Sequence, residues 1–493
     1  MIAAHLPALL IAIPLIAAPV CLLLGRGGLA WAWSTLVSWL VFGLSWLMLQ
    51  KTLISGPFNY ELGGWEAPFG IEYQVDTLNA FILLIVAAIG AVVMPYARAS
   101  VNREVPAHKH TLFYTAYLLC LTGLLGITIT GDAFNVFVFL EISSLSSYAM
   151  IALGRDPKAL TASFQYLIMG TIGATFILIG IGLMYQMTGT LNMADLAKRL
   201  PAVEDTRPVM AAFAFFIIGV SLKLALFPLH MWLPNAYAYA PSVVTAFLAA
   251  TATKVSVYVL YRFVFTVFGQ SFSFDVIPLE PILLVLSLAG IFVASAVAIF
   301  QTNVKRLLAW SSVAQIGYIM LGVSLITVAG LTASILHIFN HAVMKGALFL
   351  AMGAVYYQVG SVQISDLNGI AKKMPYTMFA FVIAGLGLIG VPLTGGFISK
   401  WYLITAVLER GWWPVAVLVL LSSLLAVFYV WRVVEAAYFK AGDNDDVEVR
   451  EAPLSMLVPL YVLTAASVWF GIDTSLPLKA STEAARQLMG IGG

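Results

Sequence analysis

Apolar residues run along this chain in stretches too long for the elements of a water-soluble core. Windows of about 20 apolar residues predict fourteen spans, at 6–24, 30–49, 77–97, 111–130, 132–153, 163–186, 209–228, 242–264, 281–300, 306–325, 328–357, 376–409, 413–438 and 454–472. The twelfth is unusually long and contains Val391-Pro392-Leu393-Thr394-Gly395-Gly396, which predicts two half-helices joined by unwound backbone. The seventh runs into Phe227-Pro228-Leu229-His230, where proline removes an amide donor and clashes with the preceding turn. Irregular backbone at membrane depth survives only inside protein or beside a water-filled cavity, so Pro228, Pro392, Gly395 and Gly396 mark candidate conduction sites.

Between the second and third spans the period changes. Phe58, Tyr60 and Leu62 alternate with Asn59 and Glu61, Gly63-Gly64 follows, and Ile71, Tyr73 and Val75 alternate with Glu72, Gln74 and Asp76. Period-two alternation around a Gly-Gly pair predicts a β-hairpin within 55–76, lying on the membrane surface. Later segments repeat weakly. Ser143-Ser144 to Leu153-Gly154 aligns with Ser311-Ser312 to Leu321-Gly322, Phe227-Pro228-Leu229 with Val391-Pro392-Leu393, and Tyr261-Arg262 with Trp431-Arg432. These offsets carry spans 5 to 8 onto spans 10 to 13. A shift of five spans is odd, so the second copy enters the membrane from the opposite side, as in inverted-repeat transporters.

The expected architecture is therefore an all-α polytopic membrane protein with about fourteen transmembrane helices. It has two inverted five-helix repeats (spans 4–8 and 9–13) and breaks in helices 7 and 12. The units are an N-terminal three-helix segment with the hairpin (1–110), a first repeat (111–264), a second repeat (281–438), and a C-terminal loop with the last helix (439–493). Orientation follows from the basic residues. With a non-cytoplasmic N-terminus, Arg26, Arg98, Arg103, Lys109, Arg155, Lys158, Lys305, Arg306, Lys372, Lys373, Lys440 and Arg450 face inside. Lys51, Lys198, Arg199, Arg207, Arg410, Lys479 and Arg486 face outside. Twelve against seven places both termini outside.

Composition agrees, since 61% of the 493 residues are hydrophobic and only 10% charged, against about 25% charged in soluble domains. The net charge of +2 selects no partner and gives no reason to expect nucleic acid. Cys21 and Cys120 stand alone in apolar spans, so no disulfide or zinc framework is expected. No nucleotide loop, nucleophile elbow or CxxC cluster occurs, so no cofactor and no hydrolytic or redox chemistry is expected within the chain.

Candidate chemistry lies in the few charges inside the spans. Glu141 sits near the middle of the run Gly131 to Gly154, where a carboxylate costs roughly 2.5–3.5 kcal/mol on insertion scales. Lys223 lies about one turn before the Pro228 break, Lys254 is central in span 8, and Lys400 follows the second break. A Glu141–Lys223 pair offsets both penalties, either as a switchable site or as a static ion pair. His337, His341 and Lys345 stand at i, i+4 and i+8, one polar stripe along span 11. Proton relay, inert interior histidines and a zinc site all fit that spacing, although no third zinc ligand is evident nearby.

The stretches GGWEAPFGIEYQVDTLNAF, GDAFNVFVFLEISSLSSY, KLALFPLHMWLPNAYAYAPS, HIFNHAVMKGALF and GVPLTGGFISKW resemble the D-type subunits of the multi-subunit Mrp-type sodium/proton antiporters. More distantly they resemble the antiporter-like subunits of respiratory complex I. The resemblance implies that Glu141 and Lys223 are a coupling pair. It implies that Lys254, His337 and His341 are links in a central polar axis, and that Lys400 is the lysine of the broken helix. One complex I subunit type has glutamate where this chain has Lys400. The expected function is proton translocation within a cell-membrane complex exchanging protons for sodium or another monovalent cation, with sister subunits and lipids as partners. A proton-pumping subunit of complex I or a membrane-bound hydrogenase is one alternative; a free-standing permease is another.

Overall fold

The structure, a computed structural model, describes residues 5–441 and 449–491. Residues 442–448 of the expected C-terminal loop lie outside the described residues, as do 1–4 and 492–493. Helices α1 (Leu6–Leu23) and α2 (Gly27–Ser55) lead into strands β1 (Phe58–Glu61) and β2 (Glu72–Val75). The strands pair antiparallel with Phe58 opposite Val75 and Glu61 opposite Glu72, which is the hairpin expected within 55–76. Their connection is longer than a two-residue turn, because Gly63 and Gly64 take left-handed backbone at the start of a ten-residue excursion.

The first half continues with α3 (Thr77–Glu104), α4 (His110–Ile129), α5 (Ala133–Ala152), α6 (Pro157–Thr188), the short α7 (Met193–Arg199), and α8 (Arg207–Leu224). After a break come the short α9 (Trp232–Tyr239) and α10 (Ser242–Tyr261), whose helical path runs on in π form to Val267. The second half holds α11 (Leu279–Ile299), α12 (Val304–Ser324), α13 (Val328–Val359), the one-turn α14 (Ile370–Lys373), α15 (Pro375–Ile389), α16 (Gly395–Glu409) and α17 (Trp413–Phe439). The chain closes with α18 (Leu454–Ile472) and α19 (Ser475–Leu488).

Among the described residues, thirteen helices are long and apolar enough to cross a membrane. The remaining expected span, 376–409, is realised as α15 and α16, fifteen residues each, too short singly for a bilayer of about 30 Å. Span 6 begins at Pro157 rather than 163, because the Asp156 carboxylate accepts the Lys158 amide and proline is pre-shaped for the first turn. Helix α19 was not expected. Its apolar side is made of small residues (Ala480, Ala484 and Ala485, with Leu488) that fall below any hydropathy threshold, yet they bury against α3 and α13. Gln487 anchors it by accepting the Thr77 amide at 3.2 Å.

Both breaks differ in detail from expectation. In the seventh span the helix ends at Leu224, ahead of Pro228, because Ala225 turns left-handed at φ 60° and the Leu226 amide folds back onto the Ser221 carbonyl. Pro228 lies inside the irregular stretch and does not start it. In the twelfth span the break is Gly390 to Thr394 and includes Pro392. Gly395 and Gly396 are not unwound; they form the first turn of α16. Their need is close approach. A Cβ on Gly396 would stand 1.9 Å from the Gly387 carbonyl oxygen, and one on Gly395 would stand 2.5 Å from Asn340 Oδ1. The two half-helices thus meet backbone to backbone.

Candidate functional site: a line of buried charges

The site starts on α5. Asp132 caps the helix by accepting the Asn135 amide at 2.7 Å, and Glu141 follows two and a half turns later. Lys223 is the penultimate residue of α8 and comes from the opposite side. Its Nζ donates to Ser144 Oγ at 2.8 Å and lies 3.8 Å from Glu141 Oε1. A tight α6–α8 crossing sets that reach, since a Cβ on Gly219 would stand 2.6 Å from the Gly173 carbonyl oxygen. The Trp232 indole donates to the Leu222 carbonyl at 2.8 Å, adding to the longer 3.3 Å bond from the Ala225 amide at the helix end.

The two partners differ in surroundings. Lys223 is buried, with 4% of its side chain exposed, whereas 29% of Glu141 is exposed. On the same face of α5, Phe134, Val138 and Leu145 are uncovered. No hydrogen bond reaches Glu141 Oε1 among the described residues. The carboxylate is therefore held by one cation at ion-pair distance and is otherwise ready to exchange partners.

Lys254 is buried at mid-helix on α10 and donates to the Ala249 carbonyl and, at 3.4 Å, to Thr253 Oγ. No acid pairs with it among the described residues. Helix α10 packs on α13, which carries the stripe. The His337 and His341 rings lie nearly parallel with centroids 6.1 Å apart. His337 Nε2 faces Gln315 Oε1 at 2.8 Å and its Nδ1 faces Ser399 Oγ at 2.8 Å. With the amide oriented this way, Nε2 carries the proton and Nδ1 accepts from the serine. His341 is fully buried, and neither of its ring nitrogens has a hydrogen-bond partner among the described residues. Lys345 donates to the Leu308 carbonyl at 2.8 Å and to Ser311 Oγ on α12.

At the far end, Lys400 points into the second break. Its amine donates to the Ile389 and Leu388 carbonyls at 2.9 and 3.2 Å and to Ser423 Oγ at 3.2 Å. Those carbonyls are the free C-terminal acceptors of α15, where the helix dipole favours a cation. The amine also sits 4.7 Å from the Tyr318 ring centroid, and Tyr318 packs on His337. Lys400 and Ser399 thus reach His337, whose ring lies parallel to that of His341, and Lys345 stands one turn further along α13. Glu141 and Lys223 form a second group, and no direct hydrogen bond joins Lys223 to Lys254 among the described residues.

Several polar residues were not singled out by sequence. Gln315, Ser399, Ser144 and Tyr318 supply the hydrogen bonds around the charges, but neutral polar groups are ordinary in membrane helices and give no signal. His230, inside the first break, packs between Phe227 and Trp310. Two buried pairs lie at span ends, where charges read as solvated. Asp76, the capping residue of α3, holds Arg262 at 2.5 Å, and Glu104 lies 3.9 Å from Lys305. No group of three or more metal-ligating side chains occurs among the described residues.

Thirteen helices long and apolar enough to span among the described residues, broken half-helices and charges buried along their length define a multi-pass membrane protein of the ion-translocating type. The chain belongs to the NADH:quinone oxidoreductase/Mrp antiporter membrane family, whose profile matches residues 130–426. It is 42% identical to the N-type NADH-quinone oxidoreductase subunit of Desulforudis audaxviator, over 95% of this chain and 96% of that one. It is 29% identical to the D-type Na(+)/H(+) antiporter subunit of Alkalihalophilus pseudofirmus, over 87% of this chain and 86% of that one. Among solved structures, a chain of the Mrp complex of a Dietzia species superposes with a TM-score of 0.90 at 25% identity, covering 99% of this chain and 98% of that one. A chain of an archaeal membrane-bound sulfane sulfur reductase superposes with a TM-score of 0.90 at 32% identity, covering 98% of both.

Proposed function

We propose that this chain is the proton-translocating subunit of a multi-subunit antiporter exchanging protons for sodium or another monovalent cation. The observation that carries this is the Glu141–Lys223 contact at 3.8 Å, followed by buried Lys254, His341, His337, Lys345 and Lys400. Ionisable groups inside membrane helices are costly, so a row of them is kept for a task. Glu141 accepts and releases the proton, Lys223 switches between Glu141 and Ser144, and the lysine–histidine line carries protons toward Lys400. Helical spacing of about 6 Å between members of the stripe requires water to complete the path. The test is proton transport by the intact complex in membrane vesicles with each residue replaced in turn.

Domain organisation belongs to the same proposal. We read 111–264 and 281–438 as inverted five-helix units following the 1–110 segment, with 439–493 completing the chain. The two breaks support this, each having a left-handed residue after a helix end (Ala225, Gly390), a proline (Pro228, Pro392) and a nearby lysine. Fourteen crossings, counting α15 and α16 as one, would put the termini on one side, and the basic-residue count supports the outside for it.

The uncovered face of α5 supports dependence on sister subunits. An ionisable side chain is costly against lipid, so a neighbour covering this face would shield Glu141 from it. The isolated chain in liposomes is expected to show no sodium-dependent proton exchange, whereas the co-purified complex does. Robust exchange by the isolated chain would point to a free-standing permease.

The relatives favour one second reading, a proton pump driven by electron transfer in partner subunits. The 42% relative belongs to a quinone oxidoreductase and one structural neighbour is part of a sulfur reductase. Native co-purification separates the two. Iron–sulfur and quinone-site partners, with transport that needs an electron donor, would replace the antiport reading; small membrane partners and sodium-driven exchange support it.

A metal-free relay makes a further prediction. His341→Ala is expected to lower transport by about tenfold or more, because His341 stands between His337 and Lys345 at helical spacing on α13. His337→Ala should lower it less, since Ser399 and Gln315 can order a water in its place. Chelators should change neither rate in vesicle assays, and loss of activity on chelation with return on adding zinc would show a metal site instead.

A further inference from the structure

A polar cavity of about 450 Å³ opens where α3 ends, α6, α10 and α12 begin and α13 ends. It has room for about fifteen waters at their liquid volume. On its inner side lies a hydrogen-bonded chain. Lys305 Nζ donates to Ser242 Oγ at 2.8 Å, and Ser242 Oγ donates to Glu104 Oε2 at 3.0 Å. Glu104 also accepts the Ser242 amide at 2.9 Å and Ser100 Oγ at 2.7 Å. Both Lys305 and Glu104 are buried, yet both line the cavity. From Lys305 to Ser311, which binds Lys345, α12 advances six residues, about 9 Å.

Around this floor the charges are mostly positive. Arg103, Arg155 and Lys158 line the cavity and are exposed, while the acid among them, Asp156, is engaged in capping α6. Lys305, Tyr96 and Tyr356 face Glu104, and the charged Arg103, Arg155, Asp156 and Lys158 line the same cavity. A positive rim raises the barrier for any cation, a proton included; protons are singled out by the floor, where an amine, a hydroxyl and a carboxyl joined by hydrogen bonds can hand a proton on but offer an alkali cation no shell of oxygens.

We infer that this cavity is the mouth by which protons, and not alkali cations, reach the buried lysines from this face, with Glu104, Ser242 and Lys305 as the inner proton-transfer step. The inference rests on the proton-pathway reading above and adds the ion and the point of access. In the inward step, protonated Glu104 gives its proton to Ser242 Oγ while the hydroxyl's own proton moves to the neutral Lys305 amine. One O–H bond forms on the serine as another breaks, and the products are a carboxylate and an ammonium. Water then bridges from Lys305 toward Ser311 and Lys345.

The test uses the intact complex in vesicles with Gln363→Cys, a cavity-lining residue that is exposed, while Cys21 and Cys120 are buried. An anionic methanethiosulfonate should react about fivefold faster than its cationic counterpart, and its adduct should block proton flux relative to the unsubstituted complex. Glu104→Gln, which keeps an acceptor for the Ser242 amide, should lower transport about tenfold with the half-saturating sodium concentration unchanged. Glu104→Asp should recover part of the loss. If Glu104→Gln fails to assemble, the Gln363 adduct decides alone. Faster reaction with the cationic reagent, undiminished flux in the adduct, or full transport in an assembled Glu104→Gln complex would overturn the inference. Glu141→Gln, measured in parallel, separates the two claims: loss there with normal Glu104→Gln removes only the mouth, whereas normal transport in Glu141→Gln removes the pathway reading itself.

Discussion

Glu141→Gln is expected to reduce transport to background while leaving the complex assembled. Glutamine has the same shape, so α5 packs as before, and Ser144 still accepts the Lys223 ammonium at its 2.8 Å contact. What disappears is the one carboxylate among the described residues that reaches Lys223, at 3.8 Å, and with it the acid that can alternate there between charged and neutral forms. Removing one partner of a buried pair costs about 3–5 kcal/mol when the other is stranded. Here the stranded partner is a lysine that keeps one hydroxyl and can also lose its proton, so the fold should absorb the change. The check is proton flux in vesicles together with subunit stoichiometry of the purified complex. Near-normal flux in an assembled complex would refute the pathway.

Lys223→Arg should fail almost as completely, although it conserves charge. Arginine keeps its proton across the physiological range, so it can hold Glu141 as a carboxylate but cannot hand a proton on. Lys223→Ala should be as severe in flux, since nothing then remains at that position to take a proton from Glu141. Flux measured across a pH series distinguishes the cases. A titrating lysine predicts loss at every pH in the arginine variant, whereas a purely structural counter-charge predicts normal flux.

Much of this was legible in the sequence, for reasons that also explain what was not. An acid or lysine in the middle of an apolar run is costly, so Glu141, Lys223, Lys254 and Lys400 stand out without any contact being known. The histidine stripe is legible because helical period alone puts 337, 341 and 345 on one face. The breaks are visible through Pro228 and Pro392, but their starting points are not. Those depend on Ala225 and Gly390 adopting left-handed backbone, and an alanine gives no warning of that. Glu104 and Lys305 are invisible for the opposite reason, since charges at span ends are ordinarily solvated and only the folded chain buries them together. Helix α19 escapes because small residues bury well and score poorly.

The uncovered flank of Glu141 also turns the residue into a gauge of assembly. A hydrophobic carbodiimide adds to protonated carboxyl groups in apolar surroundings and leaves a stable adduct that mass spectrometry can place. On the free chain, where 29% of that side chain is open beside Phe134, Val138 and Leu145, the reagent has a direct approach. A neighbour docked on this face, as proposed, would close it, so the fraction of chains labelled at position 141 would count those without their neighbour, even in a preparation where transport cannot be measured.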